Sequence, residues 1–118
     1  MADHQMLLDQ YNFSQITGGH ERIVARLYDD TTSRIKQNDL IFFTVLPDRN
    51  KRLVVIAQDL KQFPNFKELF AHYTAQEVGG APGESAEELA TNMARYYTPE
   101  QINENGVIAI RVNPVASL

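Results

Sequence analysis

The chain has 118 residues, 43% of them hydrophobic and 22% charged, with no cysteine and a formal net charge of −4 at pH 7. That length suits one domain around one core, and the ordinary globular composition disfavours disorder, collagen-like chains and repeat arrays. The lack of cysteine excludes disulfides, thiolate metal sites and a catalytic cysteine, while the acidic balance disfavours a protein that coats nucleic acid through many phosphate contacts.

No apolar run approaches the roughly eighteen residues a membrane helix needs. Met1 to Gln5 also lacks the basic and apolar profile of a signal peptide, so a cytoplasmic protein with no membrane partner is expected. Charge is unevenly placed: residues 1–61 hold eight of the eleven Lys and Arg and eight of the fifteen acids, leaving three cations and seven acids beyond. Any basic patch must therefore come from the first half, from Arg22, Arg26, Arg34, Lys36, Arg49, Lys51 and Arg52. The same residue types also serve solvated strand faces and hairpin tips.

In chain order, Met6-Leu7-Leu8 is a short apolar stretch, and Asp9 is placed to cap a brief helix through Tyr11, Phe13 and Ile16 that ends at Gly18-Gly19. Gly19 can take a positive φ and lets a backbone or ligand approach closely. Ile23 to Tyr28 and Leu40 to Leu46 read as strands, the second too apolar to be exposed on both faces. Pro47 to Asn50 is a hairpin turn, with Leu53 to Ala57 as the return strand. After Pro64, the residues Phe66, Leu69, Phe70 and Tyr73 recur at helical spacing and predict a helix over 66–73.

The segment Val78 to Gly83 holds three of the six glycines and a proline, which predicts a mobile loop. Ser85 and Glu88 form a capping-box pattern opening a helix striped by Ala86, Leu89, Ala90, Met93 and Tyr97. Thr98-Pro99-Glu100-Gln101 repeats the cap with proline at the first helical position, and Asn103 to Gly106 turns the chain into a last strand, Val107 to Val112. Strands on both sides of a helical middle, without regular βαβ alternation, predict an α+β fold: a mixed β-barrel with helices covering one side and a cleft between them.

An order of short motifs runs through nearly the whole chain. It comprises Ile16, Gly19, Arg26-Leu27, Asp29, Ile35-Lys36, Asp39, Ile41 and Phe43, then Phe66-Lys67-Glu68-Leu69-Phe70, Tyr96-Tyr97 and the closing strand Gly106 to Val112. This order resembles the ASCH domain, a relative of the PUA-like RNA-binding barrels. The resemblance implies a single small PUA-like barrel over residues 1–118 and an RNA or nucleotide-like partner. In its enzymatic relatives, which hydrolyse an acetylated cytidine nucleoside, it implies a lysine and a threonine on the first long strand and a glutamate from the later helical region. With Arg26 aligned to the family arginine, the lysine position is Glu21 and the hydroxyl position is Val24. A valine offers no nucleophile, and shifting the register brings in Arg22, which stays protonated and cannot act as a base. The later glutamate corresponds to Glu77, or to Gln76 in an ungapped reading.

Three readings follow. In the preferred one, Arg22, Arg26 and Lys36 make a cationic cleft for RNA or a nucleotide, Gly19 permits close approach, and Tyr97 or Tyr96 stacks on a base. Packing of the tyrosines and ion pairing of Arg26 with Asp29 or Asp39 are the ordinary alternatives. In the second, Glu21 and Glu77 form a paired-carboxylate acid/base site of an amidohydrolase. In the third, the chain is a protein-interaction module without ligand chemistry. His4, His20 and His72 lack ligand-like spacing and no phosphate-loop or dinucleotide motif occurs, so neither a metal nor a cofactor is expected.

Overall fold

The computed structural model describes residues 2–118. Five strands, β1 (Asp3–Asp9), β2 (Ile23–Leu27), β3 (Leu40–Leu46), β4 (Arg52–Phe63) and β5 (Val107–Ser117), form one curled half-barrel sheet in the order β1-β3-β4-β5-β2. Four short helices complete an α+β architecture: α1 (Gln10–Thr17), α2 (Phe66–Ala71), α3 (Ala86–Asn92) and α4 (Pro99–Asn105). No helix among the described residues is long and apolar enough to cross a membrane.

Local chemistry sets the helix starts. The Asp9 carboxylate accepts the Asn12 N–H, while Ser85 with Glu88 and Thr98 with Gln101 close the capping boxes read from sequence. Helix α3 ends at Asn92, and Met93–Arg95 is a separate turn of 3-10 helix, so the expected apolar stripe to Tyr97 is divided between two elements. Met6-Leu7-Leu8 belongs to β1, which pairs parallel with β3 from Asp3 opposite Leu40 to Asp9 opposite Leu46. The return strand β4 runs on past Ala57 to Phe63 through a register shift between Ala57 and Asp59. That bulge lets a strand with an apolar first half and a polar second half stay paired with β5.

Alternation on β2 and β5 divides the core in two. Val24, Ile108, Ile110 and Val112 face inward with Ile41, Phe43 and Val55, whereas Ile23, Ala25, Val107 and Ala109 face the opposite way onto Phe66, Leu69 and Phe70 of α2 and Leu89 of α3. With both faces covered, these strands read as continuous apolar runs. The order of the sheet leaves β1 and β2 as its two open edges.

Asp39, just before β3, ties one of those edges down. Its carboxylate accepts from the Ala2 N–H at 3.1 Å, the Lys36 N–H at 2.9 Å and His4 Nε2 at 2.8 Å. The His4 hydrogen bond, with these two amides, holds the Asp39 carboxyl well below the usual carboxylate range.

Candidate functional site

The two open edges do not meet through backbone pairing, and Arg26 on β2 spans part of the seam. Its Nη2 donates to the Leu7 carbonyl of β1 at 3.1 Å, and its Nη1 donates to the Ala25 carbonyl at 3.1 Å. Arg26 thus binds main-chain oxygens, and neither Asp29 nor Asp39 is its partner. Asp29 accepts instead from the Thr31 and Thr32 N–H groups, making the turn after β2.

Beside the seam lies a cavity of about 270 Å³. Its apolar walls come from Leu7 and Leu8 of β1, Ala25 of β2, Phe70 of α2, and Met93 with Tyr96 and Tyr97 beyond α3. Its polar lining is Asp9, Asn12, Glu21 and Arg26. Tyr97 is fixed in place by stacking on Phe66, with ring centroids 5.7 Å apart, while Tyr96 is 63% exposed at the mouth. An apolar enclosure with a few convergent polar groups is the usual form of a small-molecule site, and this volume lies just below the usual range of about 300 to 1,000 Å³.

Glu21 is the chemically unusual member. It sits in the turn between α1 and β2, its N–H donating to the Gln15 carbonyl at 3.0 Å. The next residue, Arg22, donates its N–H to the Glu77 carbonyl at 2.8 Å, which draws the 3-10 turn Gln76–Val78 across the site. Gly79 follows at φ 85°, and a side chain there would run into the Glu21 carboxyl. Glycine thus serves twice at this position, for its conformation and for its lack of Cβ. The result is a residue only 3% exposed in the lining of the cavity, whose carboxyl Oε1 lies beside Gly79 with no hydrogen-bond partner among the described residues.

Burial pushes the Glu21 carboxyl up to about 8; the Arg26 charge opposes that rise and the Asp9 charge adds to it. At neutral pH the group is therefore mostly protonated and can donate a hydrogen bond as well as accept one. Buried polar groups are nearly always satisfied, so an orphaned oxygen on a cavity-lining residue singles out that cavity as the candidate site.

The remaining residues singled out in the sequence lie elsewhere. Arg22 is near Gly19, outside the cavity lining, and neither Gly19 nor Lys36 lines the cavity. Glu77 turns its carboxylate away from Glu21: Oε1 accepts from the Thr74 N–H and hydroxyl, each at 3.0 Å, and Oε2 lies 3.7 Å from Arg111 Nη2. Those Thr74 hydrogen bonds and Arg111 hold its carboxyl below the usual range. The carboxylate sharing the cavity with Glu21 is Asp9. Of the sequence candidates, the structure therefore brings together Glu21, Arg26, Tyr96 and Tyr97, and it adds Asp9 and Asn12. No cluster of three or more His, Asp or Glu side chains suited to a metal occurs among the described residues.

Two solved structures of hypothetical proteins resemble this one over nearly their whole length. The crystal structure of PH0355 shares 28% identity at a TM-score of 0.84, covering 96% of this chain and 99% of that one. The solution structure of PF0455 from Pyrococcus furiosus shares 26% identity at a TM-score of 0.71, covering 96% and 97%. No protein-family model and no curated protein sequence matches this chain. Together with the curled five-stranded sheet, these end-to-end likenesses fit a small PUA-like fold.

Proposed function

We propose that this chain is an ASCH-type domain that binds a nucleobase, as a nucleoside or as an unstacked base of single-stranded RNA, in the cavity beside Arg26. The observation that carries this reading is Glu21: a buried carboxyl with an unpartnered oxygen, on a residue in the lining of a cavity walled by Phe70, Tyr96 and Tyr97. Aromatic walls suit the flat face of a base, and a protonated carboxyl with Asn12 nearby suits the donors and acceptors on its edge. With Arg26 as the single cation in the lining, the cavity favours the uncharged base over a phosphate. The ASCH resemblance of the motif order supports the same ligand class.

The test is calorimetric titration of the four ribonucleosides at low salt into the wild-type protein and into Glu21→Leu and Tyr97→Ala. Binding of at least one nucleoside is expected. Loss of the buried hydrogen bond in Glu21→Leu should weaken it by a factor of roughly 5 to 100. No binding, or equal binding by the variants, contradicts the proposal.

A second reading is an amidohydrolase acting on an acetylated nucleoside, favoured by one feature: a carboxyl raised to about 8 in a cavity is suited to general acid/base work near neutral pH. Val24 at the family's hydroxyl position is buried in the core, so water is the nucleophile in this scheme. Ionised Glu21 takes a proton from the water, the hydroxide adds to the amide carbonyl, and the proton passes to the leaving amine. Incubation with acetylated cytidine decides it; a rate unchanged by Glu21→Gln removes Glu21 from the chemistry. A ligand-free interaction module calls for a cleft filled by side chains, whereas this cavity is open.

A further inference from the structure

We propose that the ligand continues out of the cavity, and that Tyr11 and Tyr96 at its mouth form a second subsite stacking the neighbouring base of a single-stranded RNA. This deepens the nucleobase reading and rests on it. The cavity adjoins an outer hollow of about 390 Å³, and the two share Asp9, Asn12, Phe70, Val78, Met93 and Tyr96 in their linings. A ligand seated in the cavity therefore has the hollow immediately beside it.

Both tyrosines line that hollow, Tyr11 from α1 at 56% exposure and Tyr96 from beyond the Met93–Arg95 turn at 63%. A single exposed tyrosine is ordinary. Two on one hollow, adjoining a cavity lined by a residue with a buried unpartnered carboxyl oxygen, supply the flat apolar surface on which a base stacks without regard to its identity.

The rim also carries one cation among the described residues. Arg95 lines the hollow and has no ion-pair partner among the described residues. The two acids of the same lining are engaged: Asp9 accepts from the Asn12 N–H and side-chain amide, and Glu84 accepts from the Ala81 N–H at 2.6 Å. Both carboxylates keep their charge, so Arg95 is the cation of a lining that is formally −1, and it is the group a phosphodiester between the two bases would contact.

The experiment compares the four ribonucleosides with the four homotrinucleotides on the wild type, Tyr11→Ala and Tyr11→Phe. Tyr11 does not line the inner cavity. One stacked base should make the trinucleotide of the best-bound nucleoside tighter by a factor of about 5 to 150. Tyr11→Ala should remove most of that gain at unchanged nucleoside affinity, and Tyr11→Phe should keep it. A trinucleotide no tighter than its nucleoside, or a gain that survives Tyr11→Ala, overturns the second subsite while leaving the nucleobase reading standing. Failure of every nucleoside to bind overturns both.

Discussion

Replacing Glu21 by glutamine should make the protein more stable at alkaline pH, and the size of the gain follows from the burial of the carboxyl. The folded-state value of about 8 lies above the ordinary 4.5, so between those values the folded chain holds a proton that the unfolded chain releases. Stability of the wild type must therefore fall as pH rises through that window, by up to about 1.4 kcal/mol per unit. Between pH 5 and 8.5 the loss integrates to about 4 kcal/mol, a large share of the stability of a domain this size. Asp39, Glu77 and Glu88 are all shifted downward, so they are ionised in both states over most of that range and add little slope. Glutamine keeps the shape and polarity of the protonated carboxyl but cannot ionise. Urea denaturation of both proteins at pH 5, 7 and 8.5 should give curves that nearly coincide at pH 5 and separate by several kcal/mol at pH 8.5. Parallel pH profiles for the two would refute the claim that Glu21 is a desolvated acid.

Three other substitutions probe the surroundings. Arg26→Ala removes the Nη2 hydrogen bond to Leu7 that crosses the seam and the Nη1 bond to Ala25 that steadies the guanidinium, and it should cost about 1 to 3 kcal/mol in thermal unfolding and weaken nucleoside binding; Arg26→Lys, lacking the planar fork, should rescue little of either. Gly79→Ala forces a Cβ into the left-handed region and against the Glu21 carboxyl, so a loss of about 2 kcal/mol or more is expected in chemical denaturation, and a neutral result would mean the 76–79 turn yields freely. Asp39→Asn weakens the carboxylate that gathers the start of β1. Because the Asp39 carboxyl is held low, its contribution is present above its ordinary 3.8 and fades as pH falls, so the variant should lose stability at pH 6 and show less acid dependence below pH 4 than the wild type.

Much of the fold was legible because its signals are local. The caps at Asp9, Ser85 and Thr98 depend on side chains within three residues of the amides they satisfy, and the apolar run Leu40 to Leu46 marks a strand by itself. What escaped is non-local. Nothing in Met6-Leu7-Leu8 announces a parallel partner more than thirty residues away, and the polar half of β4 hides its pairing because the register shift after Ala57 breaks the period-2 pattern.

The site was legible in part for the same reason. Arg26, Tyr97 and Glu21 stood out by residue type, but Glu21 read as one of several charges beside Arg22 and Arg26. Its burial arises from two distant glycine-turn contacts: the Arg22 N–H to the Glu77 carbonyl, and the close approach of Gly79. A glutamate followed by four β-favouring or apolar positions in the next six residues was the available hint. Glu77 was read for its carboxylate, whereas its main-chain carbonyl is the group that shapes the site.

The most direct measurement follows the Glu21 carboxyl itself. Carbon-13 NMR of the side-chain carboxyl, titrated from pH 4 to 10 with and without the best-bound nucleoside, should show a midpoint near 8 in the free protein and a changed shift and midpoint once the nucleoside is bound. A midpoint near the ordinary 4.5, or a resonance indifferent to every nucleoside, would contradict the account.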